Sequence, residues 1–98
     1  MNNYMIMRRA GWQTDEEVQQ AAARSRSTRE EHFSADIRWI RSYLVKEPDG
    51  SLGSICIYQA TSPDVIREHA KQAGLPADEI LPIDEAIVEQ PDPEPAHA

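Results

Sequence analysis

The sequence predicts an α+β fold in which two helices cover one face of a four-stranded antiparallel sheet. Two segments carry helix caps and four have strand character, and they follow one another in the order β-α-β-β-α-β. A chain of 98 residues has room for one such domain and not for two independent cores. Right-handed crossovers and one hairpin arrange this order as a ferredoxin-like sandwich.

The first strand and the first helix are indicated by an apolar run followed by a capping box. Residues 4–9 contain three consecutive apolar side chains, Met5 to Met7, as expected for a central strand covered on both faces. Thr14 is a favourable N-cap, and Glu17 stands three residues later at the matching position of a capping box. We therefore expect a helix from this cap toward Phe33.

The second and third strands form a predicted hairpin. Residues 37–45 and 52–60 have strand composition, and the segment between them, Glu47 to Ser51, contains Pro-Asp-Gly turn chemistry. Alternate residues of a strand share one face, so on the second strand Trp39 is expected to lie on the same face as Ile37, Arg41, Tyr43 and Val45.

The second helix and the fourth strand complete the predicted domain. Ser62 and Pro63 are a helix N-cap and a first helical residue, and Gly74 is a C-cap. Residues 80–88 are predicted to form the last strand. We assign residues 1–89 to a single domain and residues 90–98 to a disordered, acidic, Pro-rich tail.

The negative charge of the chain is confined to its C-terminal part. The formal net charge is −7, and residues 1–75 contain ten basic and ten acidic residues, so the excess lies in residues 76–98. Without a strongly basic face the chain is not expected to bind nucleic acid. It also lacks an apolar run long enough to cross a membrane. One cysteine, Cys56, excludes an intrachain disulfide framework and fits a reducing cytoplasm.

The uncovered face of the predicted sheet is the candidate site. If Ile40, Leu44, Ile55 and Ile57 face the helices, the open face presents Trp39, Tyr43, Cys56 and Tyr58, with Arg41 on the same parity as Tyr43. We interpret this face as a homodimer interface or a small-molecule pocket. The alternative is that a loop or the tail covers it. Arg8 and Arg9 leave the first strand on opposite faces, so one of them could reach the aromatic face and bind an anion.

An ordered set of short motifs resembles a known family. The set consists of Trp39-Ile40-Arg41-Ser42-Tyr43, Ile55 to Ala60, Ile66-Arg67-Glu68-His69-Ala70 and Gly74 to Ile80. In this order it resembles a small bacterial family of nickel-binding ferredoxin-like proteins, over roughly residues 4–88. The resemblance implies a ferredoxin-like fold, homodimerisation and nickel binding in at least one member, with another late transition metal as the alternative ion, but no established reaction. The hairpin loop Lys46 to Gly53 and the tail after Glu89 depart from the family pattern.

His69 and Cys56 are the candidate metal ligands. Imidazole and thiolate are ligands that late transition metals favour. The competing interpretations are a core histidine bonded to a backbone carbonyl and a small buried hydrophobic cysteine. The assumed strand parity places the two on opposite sides of the sheet, so they meet only if that parity is reversed, if His69 lies at the sheet edge, or across a dimer. His32 and His97 complete the imidazoles, and no strong metal spacing such as C-x-x-C is present.

Two functional hypotheses follow from the sequence. The first is a small dimeric metal-binding protein, with nickel as the ion implied by the resemblance. The second is a dimeric α+β barrel, an enzyme or a binding protein, whose facing sheets enclose an aromatic pocket lined by Trp39, Tyr43 and Tyr58. A purely structural dimer without a ligand is the third alternative.

Overall fold

The computed structural model describes residues 1–93 and has the predicted element order. The elements are β1 (Asn2–Trp12), α1 (Asp15–His32), β2 (Ile37–Lys46), β3 (Leu52–Ala60), α2 (Pro63–Ala73) and β4 (Glu79–Pro82). The last part of the predicted tail, including His97, lies outside the described residues. Neither helix in the described part combines the length and the apolar character that crossing a membrane requires.

The four strands form one antiparallel sheet in the order β2-β3-β1-β4. The central strand β1 pairs Ile6 with Cys56 of β3 on one side and with Ile80 of β4 on the other. The fold class predicted from the sequence is therefore confirmed.

The local signals for the helix ends are also confirmed. Thr14 accepts a hydrogen bond from the backbone N–H of Glu17, and the Glu17 carboxylate accepts one from the N–H of Gln13. Ser62 accepts from the N–H of Val65, and Gly74 ends α2 in the left-handed conformation with φ of 70°.

The fourth strand is shorter than predicted. The expected strand 80–88 ends at Pro82, and Ile83 makes a last backbone hydrogen bond to the carbonyl of Asn3 at 2.9 Å. Proline lacks an N–H for a sheet ladder, and the polar run Asp84-Glu85 follows it. From residue 84 to residue 93 the chain has no strand structure.

The predicted face assignment of the sheet is wrong for three of its four residues. Trp39, Cys56 and Tyr58 face the helices, whereas Tyr43 lies on the open face together with Arg41. The register of β2 shifts between Trp39 and Arg41, and this irregularity reverses the side-chain parity of the strand. On β3 both parities are apolar, so the pattern did not distinguish Ile55 and Ile57 from Cys56 and Tyr58.

The core lies between the helices and the sheet. Its main cluster contains Tyr4, Ile6, Phe33, Ile37, Cys56, Tyr58, Ala60 and Ile66. A smaller cluster of Trp12, Val18 and Ala21 packs the start of α1 against the end of β1. A cavity lined mostly by apolar groups lies in the same layer.

Candidate functional site

A cavity of about 60 Å³ lies between α1 and the helix-facing side of the sheet. Its polar lining consists of Arg8, Ser25, Ser42, Ser54, Cys56 and Tyr58. Its apolar lining consists of Trp12, Val18, Ala21, Ala22, Trp39, Leu44 and Leu75. Leu44 is half exposed on the edge strand β2, so the cavity lies near the surface at that edge.

Arg8 is the charged residue of this cavity. Its side chain follows Tyr4 and Ile6 on the helix-facing side of β1, and the residue is only 2% exposed. Its guanidinium donates hydrogen bonds to the carbonyl of Pro76 and, at 3.3 Å, to the hydroxyl of Tyr58. Gly53 allows the backbones of β3 and β1 to approach closely at this point, since a Cβ at that position would lie 2.6 Å from the carbonyl oxygen of Arg8.

Small polar groups and an indole form the wall opposite the helix. The Cys56 sulfur lies 3.5 Å from the hydroxyl of Ser54, one pleat along the same strand face. The indole N–H of Trp39 donates to the hydroxyl of Ser42 at 2.7 Å, which fixes the ring at the cavity wall. The cavity therefore offers hydroxyl, thiol and guanidinium groups beside an aromatic surface.

Two more arginines stack outside the cavity on the same indole. The guanidinium carbons of Arg26 and Arg29 lie 5.8 and 5.3 Å from the centre of the Trp39 ring. One terminal nitrogen of Arg29 is buried and has no hydrogen-bond partner within residues 1–93. The region around Trp39 is therefore cationic.

His69 is buried beside the cavity and does not line it. Its Nε2 lies 3.0 Å from the backbone carbonyl of Ser25, to which it donates, and its ring packs edge-on against Phe33 and Tyr58. Its Nδ1 is buried with no hydrogen-bond partner in the described part of the chain. Burial lowers the pKa of His69, the bond to Ser25 opposes this, and the charges of Arg8 and Arg29 lower it further. The imidazole is therefore held neutral.

The core pair His69 and Cys56 does not fit a metal ion. The reversed parity places both on the helix side of the sheet, which the sequence allowed as one way for them to meet. However, no group of three His, Cys, Asp or Glu side chains suited to an ion occurs among residues 1–93. His69 already uses Nε2 on a backbone carbonyl, and the positive charges of Arg8 and Arg29 act on it. A dication in this place would have too few ligands and adverse electrostatics.

The open sheet face is covered in part by the C-terminal segment. The Asp92 carboxylate accepts hydrogen bonds from Arg41 Nη1 at 2.8 Å and from the Tyr43 hydroxyl at 2.7 Å. These charge-assisted contacts hold the segment against β2. A hydrogen bond with the Tyr43 side chain and the charge of Asp92 raise the pKa of Arg41. Of the side chains that a loop or the tail was expected to cover, Tyr43 is the one that this segment contacts, and it remains partly exposed.

The site differs from the predicted one in its side of the sheet and in its polar groups. Trp39, Cys56 and Tyr58 meet at the cavity, whereas Arg41 and Tyr43 meet on the opposite face. Sequence reasoning missed Ser25, Ser42 and Ser54. It considered Arg8 only as an anion ligand on the open face. The sequence did contain a signal for a buried Arg8. It alternates with Tyr4 and Ile6 on one face of the first strand, at a position where a core strand normally has an apolar side chain.

The fold and cavity define a small ferredoxin-like α+β protein with an arginine buried beneath its first helix. A family model described as nickel responsive protein SCO4226-like matches residues 4–83. Because the match spans most of the chain, the chain belongs to this family.

A solved structure with the same fold comes from Streptomyces coelicolor A3(2). It is the crystal structure of SCO4226, to which this chain is similar with a TM-score of 0.68 and 16% sequence identity. The similarity covers 87% of this chain and 99% of that chain, and at this identity it supports the fold alone. No match to a curated protein sequence is found.

Proposed function

We propose that this chain is a homodimeric nickel-binding protein. The observation that carries the proposal is membership of a nickel-responsive protein family over residues 4–83. The single free cysteine is consistent with a reducing cytoplasm as its location.

The nickel ligands are expected on the surface and not at the core pair named from the sequence. His69 and Cys56 are buried in a cationic region, as described above. In the described part of the chain His32 is the exposed imidazole, and its Nε2 lies 3.7 Å from the carboxylate of Glu31. Imidazole and carboxylate are suitable nickel ligands, and water or a second copy of the chain would complete the coordination.

Titration of the metal-free, untagged chain with Ni²⁺ tests this proposal. We expect a dissociation constant in the micromolar range or tighter, which corresponds to about −8 kcal/mol. His32→Gln is expected to weaken binding about tenfold, the effect of losing one ligand or its support. His69→Gln and Cys56→Ser are expected to leave the dissociation constant nearly unchanged.

The matched control is His97→Gln, which removes an imidazole from the C-terminal end. Millimolar or absent affinity in the wild-type chain would overturn nickel binding. Loss of affinity in His69→Gln or Cys56→Ser would instead place the ion in the core and overturn the surface assignment. If only His97→Gln lost affinity, the ion would belong to the tail and the proposed role of His32 would be wrong.

The open sheet face is the proposed dimer interface. It exposes Ile40, Tyr43 and Leu81, and Ile87 of the segment lying over the sheet is 80% exposed. Apolar side chains grouped on one face in this way are usually covered by a partner, most simply by a second copy. The segment up to Asp92 then forms part of the interface.

Light scattering of the full chain during gel filtration tests the dimer. The wild type is expected to elute as a dimer at about 100 µM, and Leu81→Asp is expected to weaken association at least thirtyfold, because a charge is buried without a partner. Leu44→Asp is the matched control, since Leu44 is similarly exposed but faces the helix side of the edge strand. A monomeric wild type, or a dimer that Leu81→Asp leaves intact, would contradict this interface.

The aromatic pocket between two facing sheets is not favoured. Trp39 and Tyr58, which were expected to line it, lie on the helix side, and the open face retains Tyr43 as its aromatic residue in the described chain. The cavity that does occur lies within one copy.

A further inference from the structure

We propose that the cavity between α1 and the sheet is a binding site for a small organic carboxylate, held by the guanidinium of Arg8. This site is separate from the proposed nickel ligands and from the open sheet face. It does not depend on either proposal.

The charge of Arg8 calls for an anionic partner. Arginine remains protonated in proteins, so this nearly inaccessible side chain brings a full positive charge into the core. Within residues 1–93 no carboxylate oxygen lies within 4 Å of it, although three other arginines, Arg9, Arg41 and Arg67, have such a partner. Buried charges are normally paired, because the cost of removing them from water is otherwise uncompensated. An anionic ligand supplies the missing charge.

The hydrogen-bonding capacity of the same guanidinium favours a carboxylate. A guanidinium has five N–H donors, and the two protein hydrogen bonds, to the carbonyl of Pro76 and to the hydroxyl of Tyr58, leave donors free. These two bonds also fix the orientation of the side chain. A carboxylate is the ligand that a fixed guanidinium binds best, since two parallel N–H···O bonds can form.

The lining of the cavity favours an organic acid over an inorganic anion. Trp12, Val18 and Trp39 give the cavity a mostly apolar wall, and its hydroxyls belong to Ser25, Ser42, Ser54 and Tyr58. A volume of about 60 Å³ corresponds to about four water-sized positions. The space therefore suits a carboxylate with a short apolar body, whereas inorganic phosphate would leave several oxygens without donors.

The charges around the cavity also favour an anionic ligand. Arg26 and Arg29 stack on the outer part of the Trp39 ring, and the neutral His69 lies behind Tyr58. None of the carboxylate side chains that the structure describes lines the cavity. The local potential is therefore positive and attracts an anion to the β2 edge.

The intrinsic tryptophan fluorescence of the chain can be used to measure binding at this site. Its two tryptophans, Trp12 and Trp39, both line the cavity, so intrinsic fluorescence responds to an occupant directly. The full chain, freed of metal with a chelator, is titrated with butyrate and benzoate. Butyramide serves as the neutral isostere and inorganic phosphate as the competing anion. We expect saturable binding of at least one of the two carboxylates, and at least tenfold weaker binding of butyramide and phosphate.

Two variants locate the binding. Arg8→Gln is expected to weaken the carboxylate at least tenfold, whereas Arg38→Gln, the same change on the exposed side of β2, leaves it unchanged. Ala22→Leu fills the cavity from α1 while keeping Arg8 and helix propensity, so it should abolish binding even if Arg8→Gln does not fold.

Three results would overturn the proposal. One is the absence of saturable binding of either carboxylate up to about 10 mM. Another is equal affinity for butyramide, which would identify an apolar cavity without anion recognition. The third is unchanged carboxylate affinity in a folded Ala22→Leu chain. None of these results depends on whether nickel binds.

Discussion

Replacing Ile6 with alanine is expected to lower the free energy of unfolding by about 2–5 kcal/mol. Ile6 is fully buried at the centre of β1, the central strand that pairs with both β3 and β4. It belongs to the same cluster as Ile66 of α2, so the substitution leaves a void between the sheet and the second helix. For a domain of this size, such a loss is a large part of the total stability.

Urea unfolding of the two chains, followed by circular dichroism, measures this difference. Ile87→Ala is the matched control, because it removes the same atoms from a residue that is 80% exposed, and it should change stability by no more than about 0.5 kcal/mol in the monomer. Similar losses for Ile6→Ala and Ile87→Ala in dilute, monomeric protein would contradict the assignment of the core.

The predicted elements that proved correct depend on local chemistry. Thr14 with Glu17, and Ser62 with Pro63, define helix starts through hydrogen bonds between residues close in sequence. Gly74 ends a helix through its own backbone conformation. Features of this kind can be recognised in a single sequence. Together with the order of the six elements, they were sufficient to predict the fold class.

The predicted face of the sheet was wrong because it depends on pairing between strands. The shift in register near Ile40 arises where β2 meets β3, and no turn residue or glycine in β2 marks it. A shift of one residue moves every later side chain to the other face. Cys56 and Tyr58 were misplaced for a different reason, since their isoleucine neighbours are equally apolar.

The negative C-terminal part also has a role that its composition did not indicate. Asp92 lies beyond the segment that matches the family, and its carboxylate binds Arg41 and Tyr43 on the open face. Part of the charge excess is therefore placed on the sheet surface. A contact between residues 49 or more positions apart depends on the folded path of the chain and could not be read from charge counts.

His69 determines how stability changes between pH 7 and pH 5. Burial lowers its pKa in the folded chain, with a further contribution from Arg8 and Arg29, while the unfolded chain has an ordinary histidine pKa of about 6.5. Below that pH the unfolded state takes up a proton that the folded state does not, so stability falls as the pH falls. The carboxylates of Glu47 and Asp49, whose pKa values are lowered by bonds to Arg9 and Ser51, titrate below this range.

We therefore expect the free energy of unfolding to be nearly constant above pH 7 and to decrease below pH 6.5, by up to about 1.4 kcal/mol per pH unit. Urea unfolding at intervals from pH 8 to pH 5 measures this slope. His69→Gln lowers stability at every pH but removes the slope, since the amide does not titrate and can still donate to the Ser25 carbonyl. His32→Gln, at an exposed position, keeps the slope. A slope that persists in His69→Gln would show that His69 is not the buried neutral histidine responsible, because the proton uptake would then belong to another group.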